Sequence, residues 1–490
     1  MHAVLQTGFI SLSLALLLST VQAQPGPLQF TYDLNWPPGP GSSLSPQQPS
    51  PELTQALNQI SPSNIEQTIR TLVSFGTRHT LSSQDDPKRG IGAARDWIKG
   101  EFQKYADEAN RRNGVVNGKN KMDVEIQSYV QGPADRIPND TVISNVLATL
   151  HGTESSSRTW VISGHYDSRV TDVMNFIDDA PGADDDASGV AISLELARVF
   201  SLAPTPPKAT IIFAAVAGEE QGLYGSTHLA NTLKNASVDV QGMLDNDIVG
   251  ASRGGGEIGD GDRGEKVDPW NIRMFAQGIP PPELGNETAV TARTDIGAEN
   301  DSPARQLGRF GVEVASNAVT NMSVQMIYRP DRFLRGGDHL PFLDAGYPAV
   351  RFTEPNEDFA HQHQDVRVDN VTGQQFGDLP EFCDFEFISR VAKVNGAILW
   401  SGATAPGMPQ NVKIIASQLT NNSTFTWDID QSVQGYEVVW RPTELPFWTK
   451  VIDVGKVGTA TVLLSKDNVQ FGVRAVGEDG LKSAAVAPFP

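Results

Sequence analysis

The stretch ATIIFAAVAGEEQG, residues 209–222, places two adjacent glutamates directly after a long apolar run. The run itself, ATIIFAAVA, is typical of a strand that is buried on both faces of a sheet. Neighbouring carboxylates repel each other and resist removal from water. Glu219 and Glu220 are therefore expected either to be solvated or to serve a chemical purpose at the end of this strand.

On both sides of this strand, strand-like stretches alternate with helical ones. The predicted strands are DVEIQSYV, NVLATLHG, TWVISGHYD, GMLDNDIVG and YPAVRFTE. Helical periodicity marks IEQTIRTLVSF, GAARDWIKGEFQKYADEA, SGVAISLELARVF, the stretch after Tyr224 and residues 387–399. This alternation predicts an α/β domain, residues 53–402, whose mostly parallel mixed sheet is covered by helices.

Beyond Ser401 the chain consists of short alternating strands separated by turn residues. This pattern predicts a small all-β, immunoglobulin-like sandwich over residues 403–490. Trp427, Tyr436, Trp440 and the ending VRAVGEDG resemble a fibronectin type III domain. The sandwich sequence contains no cluster of catalytic residue types, so chemistry is expected in the first domain.

The N-terminal sequence indicates export. An apolar stretch from Phe9 to Leu18 is too short to span a bilayer, and Val21-Gln22-Ala23 suits signal-peptidase cleavage. Residues 1–23 are therefore predicted to be a signal peptide, and residues 24–52 a Pro-rich, poorly ordered leader. Eight Asn-X-Ser/Thr triplets fit a secreted, extracellular glycoprotein. No later segment is apolar and long enough to predict a membrane span.

Composition excludes several classes of partner and site. With 58 acidic and 38 basic residues among 490, the formal charge is −20, which argues against nucleic acid and anionic membranes as partners. Cys383 is the single cysteine, so an intramolecular disulfide and a cysteine-based zinc site are both excluded. Any metal must be held by histidine and carboxylate groups.

Other acidic and imidazole groups lie near predicted strand ends. His165 and Asp167 close one strand, the run Asp184–Asp186 precedes a helix, and Asp247 closes another strand. Because ligands of open α/β sheets bind at the carboxyl ends of the strands, these groups can converge on one place. Neutral imidazole with several carboxylates is a ligand set that suits zinc or another divalent ion.

These segments resemble a known family, the co-catalytic di-zinc aminopeptidases related to glutamate carboxypeptidase (metallopeptidase clan H, family 28). The resemblance spans about residues 61–400 and rests on GHYDS, PGADDDASGV, AGEEQGLYGS, DIVG, GGDHLPFLDAGYPAV and HQHQD. It implies a zinc-exopeptidase fold for residues 53–402 and two zinc ions per chain. The ligands it implies are His165 and Asp247 for one ion, Glu220 and His361 for the other, and Asp185 bridging both. It also implies that Glu219 is the general base and that Asp167 orients His165.

Several of these assignments have alternatives. In HQHQD, the family spacing from Asp365 selects His361, and His363 is the alternative ligand. Asp245, on the same predicted strand, is the alternative to Asp247 as a metal ligand. Where some relatives have a tyrosine that stabilises the tetrahedral intermediate, this chain has Leu334, so that role would fall to zinc or to Tyr328, Arg332 or Arg335. His79, Asp338 and His339 are interpreted as structural or pocket-supporting residues.

The sequence therefore predicts a secreted zinc exopeptidase that acts on peptide or protein substrates, with an aminopeptidase as the first expectation. Arg329, Arg332 and Arg335 keep a carboxypeptidase open, because arginines could hold a C-terminal carboxylate. A glutaminyl-cyclase-like enzyme and a non-catalytic binding protein on the same scaffold are further alternatives. The sandwich could contact a wall or matrix component. If it only docks, deletion of residues 403–490 should leave the hydrolysis of short peptides intact.

Overall fold

A computed structural model describes residues 36–113, 115–116, 119–154, 158–255, 266–280, 287–417 and 419–490. The chain forms two compact units, Met1–Pro38 and Gly39–Pro490. In the first unit only residues 36–38 are described, so the predicted signal peptide and the leader up to residue 35 lie outside the described part. Among the described helices, none combines the length and the apolar character needed to cross a membrane.

Ten helices occur in the described residues. They are α1 (Pro51–Leu57), α2 (Pro62–Val73), α3 (Ile91–Asn113), α4 (Ala187–Ser201), α5 (Glu219–Gly222), α6 (Tyr224–Asn235), α7 (Glu287–Thr294), α8 (Pro303–Ala315), α9 (His339–Asp344) and α10 (Phe385–Thr404). A short 3-10 turn, Pro380–Phe382, precedes α10.

The first fifteen strands are β1 (Ser42–Ser43), β2 (Val115–Val116), β3 (Lys119–Asn120), β4 (Met122–Gln131), β5 (Thr141–Leu150), β6 (Arg158–His165), β7 (Thr210–Val216), β8 (Asp239–Asn246), β9 (Arg253–Gly254), β10 (Lys266–Val267), β11 (Asn271–Ala276), β12 (Ser323–Ile327), β13 (Ala349–Thr353), β14 (Arg367–Val368) and β15 (Gln375–Phe376). The last six are β16 (Lys413–Ile414), β17 (Ser423–Thr426), β18 (Gly435–Pro442), β19 (Lys450–Gly455), β20 (Thr459–Val462) and β21 (Val469–Val476).

The main sheet has eight strands in the order β12-β11-β13-β8-β6-β7-β5-β4. Strands β7, β6, β8 and β13 are parallel neighbours, as are β11 and β12, while the remaining pairings are antiparallel. Every residue of β6 is buried, as expected for a central strand with helices on both faces. The structure thus confirms the predicted α/β class with a mostly parallel mixed sheet.

Local sequence explains where several helices begin. Helices α1, α2 and α8 each start with a Ser-Pro pair, at residues 50–51, 61–62 and 302–303. In each case the serine hydroxyl accepts a hydrogen bond from a main-chain amide three residues later, and the proline stands at the first helical position, where it has no amide to satisfy. The same signal was present in the sequence, but α1 and α8, with strands β11 and β12, were not predicted.

The C-terminal segment forms two small sheets, β1-β19-β18-β21 and β16-β17-β20. Their inner faces share one apolar core that includes Phe425, Trp427, Tyr436, Trp440 and Phe471. Short strands separated by turns are present after Ser401 as predicted, and the predicted all-β sandwich is confirmed in outline.

The leader differs from its prediction over residues 39–52. Instead of being poorly ordered, Ser42 and Ser43 pair as strand β1 with β19 of the sandwich. The Trp440 indole donates a hydrogen bond to the Pro40 carbonyl (2.9 Å), and the Lys482 amide donates one to the Gln47 side chain (2.8 Å). Main-chain pairing of this kind leaves no apolar pattern in the sequence, so composition alone indicated a spacer.

Candidate metal centre

Acidic and imidazole side chains meet at the carboxyl edge of the four parallel strands. His165 is the last residue of β6, Glu219 and Glu220 form the first turn of α5 directly after β7, and Asp247 follows β8. Asp185 lies immediately before Asp186, the residue that caps the start of α4. The predicted convergence at strand ends is therefore present, although the two glutamates stand on a short helix and not on a loop.

One cluster contains His165, Asp185 and Asp247, all of them buried. Nε2 of His165 lies 3.1 Å from Oδ1 of Asp185 and 3.9 Å from Oδ1 of Asp247. The structure brings Asp247 and not Asp245 to this place. Asp245 instead pairs with the His339 imidazole (3.2 Å), which gives both residues a supporting role.

A second cluster contains Asp185, Glu220 and His363. Nε2 of His363 lies 2.8 Å from Oδ2 of Asp185 and 2.9 Å from Oε1 of Glu220. The prediction that His361 is the ligand is therefore wrong, because the structure places His363 in this cluster. The His361 ring stacks on Phe382 with centroids 3.6 Å apart, and its nearest carboxylate is that of Asp358, 3.6 Å away.

His363 has a backbone feature that marks it out. Its φ of +56° lies in the left-handed region, which non-glycine residues seldom adopt and which concentrates at functional sites. The alternative ligand, His361, stacks on Phe382, which lies outside the HQHQD motif. Because neither the backbone angle nor this tertiary contact is visible in the spacing of HQHQD, the sequence could not decide between the two histidines.

Asp185 belongs to both clusters, with one carboxylate oxygen turned to each. Its position is set by Asp378, whose carboxylate accepts hydrogen bonds from the amides of Asp184 and Asp185 (2.8 Å each). Although burial raises the pKa of Asp185, the imidazoles of His363 and His165 outweigh it and hold this pKa well below its usual range. Asp185 is therefore the carboxylate that the two clusters share.

Arg351, which is fully buried on β13, fixes Asp247. Its Nη2 lies 2.8 Å from Oδ1 of Asp247, and its Nη1 donates to the Gly336 carbonyl (2.6 Å). Burial raises the pKa of Asp247 to about 6, and the Arg351 guanidinium limits that rise. The arginine thus orients one carboxylate of the first cluster and compensates part of its desolvation.

Glu219 belongs to neither cluster but lines the same cavity. Its Oε2 lies 4.0 Å from Nε2 of His165. Burial of the Glu219 carboxyl raises its pKa well above the ordinary value, and the charges of Asp247 and Glu220 add to the rise while His165 opposes it. Of the two adjacent glutamates, Glu220 belongs to the second cluster, and Glu219 is a basic carboxylate beside His165 of the first cluster.

Asp167 acts on the site through other residues. Its carboxylate accepts hydrogen bonds from the amides of Glu219 (3.3 Å) and Glu220 (3.2 Å) and from the Thr80 hydroxyl (2.9 Å). Nδ1 of His165 is closer to the main-chain carbonyl of Asp167 (3.1 Å) than to its carboxylate (3.6 Å). The predicted orientation of His165 is therefore provided by the carbonyl, while the carboxylate holds the start of α5.

The donor set fits metal ions. Within the described residues, the buried atom His165 Nε2 has no hydrogen-bond partner, although the Asp185 carboxylate lies close by. Since buried polar atoms are normally paired, atoms that converge without pairing point to a cation between them. The Nδ1–H of His165 donates to a carbonyl, which leaves Nε2 as the free ligand atom.

The second cluster fits a metal ion after one rearrangement. Nδ1 of His363 faces Nη2 of Arg169, which is a donor, so the ring proton of His363 is assigned to Nε2. Arg169 also donates from Nε to Oε2 of Glu220 (2.8 Å). Metal binding through Nε2 of His363 therefore requires the proton to move to Nδ1 and Arg169 to withdraw from it.

The cavity over the clusters has a volume of about 340 Å³ and is lined by four arginines: Arg136, Arg169, Arg332 and Arg335. Leu334 is almost fully exposed beside it. Tyr328 does not line the cavity, because its hydroxyl donates to Pro446 of the sandwich (3.3 Å). Of the three side chains considered for oxyanion stabilisation, only Arg332 and Arg335 are thus close to the site.

Sequence reasoning missed Arg136, Arg169, Arg351, Gln362 and Asp378. Gln362 donates to Oδ2 of Asp185 (3.2 Å). Arg169 follows HYDS directly, and Gln362 lies inside HQHQD, so proximity to a motif was a usable signal for these two. Arg136, Arg351 and Asp378 are distant in sequence from the motif residues that they contact, and only the fold brings them together.

The sequence and the fold of this chain are similar to those of known proteins. The model of peptidase family M28 matches residues 145–379. A probable zinc metalloprotease of Pyrenophora tritici-repentis (strain Pt-1C-BFP) is 58% identical over 458 residues, 93% of this chain and 90% of the relative. A probable zinc metalloprotease of Pyricularia oryzae is 54% identical over 466 residues, 93% and 88% of the two chains. Among solved structures, the LapA aminopeptidase of Legionella pneumophila aligns with a TM-score of 0.49 and 19% identity over 73% of each chain.

Proposed function

Because this chain belongs to peptidase family M28, we propose that it is a zinc-dependent exopeptidase that uses two metal ions and Glu219 to hydrolyse peptide bonds. That it is an enzyme of the metallopeptidase class, as the sequence predicted, is confirmed by this membership. The observation that carries the proposal is the pair of three-residue clusters that share Asp185. A carboxylate with one oxygen in each cluster is the arrangement that two neighbouring divalent ions require.

In this proposal the ligands are His165 and Asp247 at one position, Glu220 and His363 at the other, and Asp185 between them. When bound, the ions supply Lewis acidity that activates a water molecule and polarises the scissile carbonyl. Glu219, which is buried and basic beside the clusters, accepts the proton of the attacking water and delivers it to the departing amine.

The chain's remaining groups hold this arrangement in place. The Asp167 carboxylate fixes the amides that begin α5 and therefore the directions of both glutamates. Arg351 holds Asp247, and Asp378 holds the main chain at Asp185. These are positioning residues, since none of them lines the cavity.

We also propose that the enzyme is secreted and glycosylated. The N-terminal apolar stretch and Val21-Gln22-Ala23 support export. Seven of the eight acceptor asparagines lie in the described residues, at 139, 235, 300, 321, 370, 421 and 422, and all seven are exposed. Glycosylation requires accessible acceptors, so this exposure supports the proposal.

The C-terminal sandwich is proposed to be of the fibronectin type III kind, on the basis of its residue pattern and its two small sheets. None of its described residues lines the catalytic cavity. Contact with a wall or matrix component is the proposed role for its outer surface, and binding of the purified chain to such material would test it.

The end of the peptide that is attacked depends on the charges around the cavity. The sequence favoured an aminopeptidase, for which a spare carboxylate could bind the α-ammonium group. In the described lining, however, all four carboxylates are proposed ligands or the proposed base, and the other charged side chains are arginines and His363. This distribution favours the carboxypeptidase alternative.

Removal of metal tests the proposal directly. We expect a chelator to abolish hydrolysis of peptides, to release about two zinc ions per chain and to lower the unfolding temperature, because ions that bind only the folded chain stabilise it. Added zinc should restore all three properties. A metal-free chain that still hydrolyses peptides would contradict the proposal, and a zinc-loaded chain that forms pyroglutamate but releases no amino acid would identify a cyclase. A chain without metal or activity would leave a binding protein.

A pair of single variants tests the corrected histidine. His363→Ala should lose metal from the second cluster and lower kcat/KM by at least about 100-fold, because ligand loss should exceed the effect of losing a supporting contact. His361→Ala is the matched control, two residues away and packed on Phe382, and should keep its metal and most of its activity. Metal analysis and hydrolysis rates would be measured on both. The opposite pattern would restore His361 as the ligand.

A further inference from the structure

The arginines that line the cavity differ in how far they are already engaged. Arg169 is bound to Glu220 and His363 within the second cluster. Arg332 is buried and donates to Glu357 (3.1 Å) and to the Gly336 carbonyl (3.3 Å). Both are therefore occupied by the protein itself.

Arg335 and Arg136 retain free donors. The Arg335 side chain makes one hydrogen bond among the described residues, from Nη1 to Oε2 of Glu357 (2.7 Å), and a third of this side chain is exposed (33%). Arg136 is likewise held by one bond, from Nη1 to the main-chain carbonyl of Glu220 (2.9 Å). Each guanidinium has five N–H donors, so most of those on Arg335 and Arg136 remain available to a ligand in the cavity.

The positive charge near Arg335 is not balanced locally. Glu357 is shared by three guanidinium groups, those of Arg273, Arg332 and Arg335, at 3.1, 3.1 and 2.7 Å. Arg136 faces a carbonyl and not a carboxylate. Arg332 has a second carboxylate partner, Asp331 (3.1 Å), which it shares with Arg351 (3.3 Å). Arg335 shares its one carboxylate with two other guanidinium groups, so its charge is only partly neutralised, and with Arg136 it forms a cationic wall of the cavity.

We propose that Arg335 and Arg136 bind a carboxylate of the peptide substrate, which makes the enzyme selective for substrates that carry an anionic group beside the scissile bond. The inference rests on the proposed peptidase function and adds a substrate class to it. Guanidinium groups bind carboxylates through paired, charge-assisted hydrogen bonds, and each of these two arginines, which line the same cavity, has free donors for such a pair. The anionic group is either the C-terminal α-carboxylate or an acidic side chain.

The same geometry disfavours a free α-ammonium group in this position. An ammonium would meet cationic side chains and, among the described lining residues, find no carboxylate outside the two clusters and the proposed base. Like-charge contacts across a binding site reduce affinity and suppress the wrong ligand.

The test uses N-acetylated dipeptides in two matched pairs. One pair differs only in a free C-terminal carboxylate against a C-terminal amide, and the other, with amidated C-termini, differs in a glutamate against a glutamine side chain after the scissile bond. We expect wild type to prefer the anionic member of one pair by about 10- to 100-fold in kcat/KM. The pair that shows the preference identifies which carboxylate is bound.

The variants are Arg335→Gln and Arg136→Gln, with Arg329→Gln as the control from the same loop. Arg329 lies over the Phe333 ring and does not line the cavity. Each of the first two should remove most of the preference, mainly through a higher KM for the anionic member. The control should keep the preference. Both arginines are exposed and lie on different loops. Thermal unfolding would be recorded for each variant to show that it is folded.

Four results would overturn the inference. Equal cleavage of both members of both pairs, or a requirement for a free α-amino group, would leave the peptidase function standing and remove only the substrate carboxylate. An Arg335→Gln variant that slows neutral and anionic substrates equally through kcat would assign this arginine to the oxyanion instead. Absence of any Glu219-dependent cleavage would remove the proposed function and this inference together.

Discussion

Replacing Glu219 by glutamine is expected to reduce peptide hydrolysis by about 100- to 10,000-fold while the chain stays folded and keeps its metal. Glutamine preserves the shape of the side chain but cannot accept the proton of the attacking water. Glu219 belongs to neither cluster, so its replacement should not release an ion. Steady-state rates and metal content measured on the same sample would separate loss of the base from loss of the centre.

The neighbouring residue supplies the matched control. Glu220→Gln changes the same side chain one position later, but Glu220 lies 2.9 Å from His363 in the second cluster. This variant should therefore lose metal as well as activity. If Glu219→Gln also lost its metal, or if it kept wild-type rates, Glu219 would not be the base and the proposed division between the two glutamates would be wrong.

The parts of the site that the sequence predicted are those fixed by strand ends. His165, Glu220 and Asp247 stand at or just after the ends of β6, β7 and β8, whose buried apolar runs are visible in the sequence. Parallel strands bring their carboxyl ends to one edge, so position along the chain translates directly into position in space. This is why six of the eight strands of the main sheet, and the first-cluster residues at strand ends, could be predicted, whereas β11 and β12 were not.

For residues on irregular segments, position along the chain did not predict position at the site. His361 and His363 are two positions apart on a loop, and a stacking contact with Phe382 decides which of them faces away. Arg136 lies in the turn between β4 and β5, and Arg335 lies in the loop before α9. Neither segment has a periodic pattern, so the cationic wall of the cavity could be recognised only after the chain was folded.

The contact between the two domains could not be predicted from sequence either, and it carries buried charge. Asp301, next to α8, is 2% exposed and pairs with Arg309 of the same domain (3.1 Å) and with Arg441 of the sandwich (2.7 Å). Arg474 of the sandwich lies 3.1 Å from Glu313 on α8. Such pairs are seen in a sequence only as isolated charges.

Asp301→Ala is therefore expected to destabilise the chain by about 3–5 kcal/mol, because it leaves two buried guanidinium groups without their shared carboxylate. The exposed Glu444→Ala, in the adjacent turn of the sandwich, is the matched control and should change stability by less than about 0.5 kcal/mol. Denaturant unfolding would measure both. Equal stability of the two variants would show that the interface ion pairs do not hold the domains together.

Deletion of residues 403–490 is expected to have the larger effect, loss of soluble, active enzyme. The cut falls inside α10, which runs to Thr404, and it removes the partners of Asp301, Glu313 and Arg309 in one step. It also strips the sandwich from β1, so that residues 39–50 lose the strand on which they pair. Exposed apolar surface and unpaired buried charges together should exceed the marginal stability of a folded chain. A truncated chain that is soluble and cleaves peptides at the wild-type rate would contradict this and restore the expectation of a sandwich that only docks.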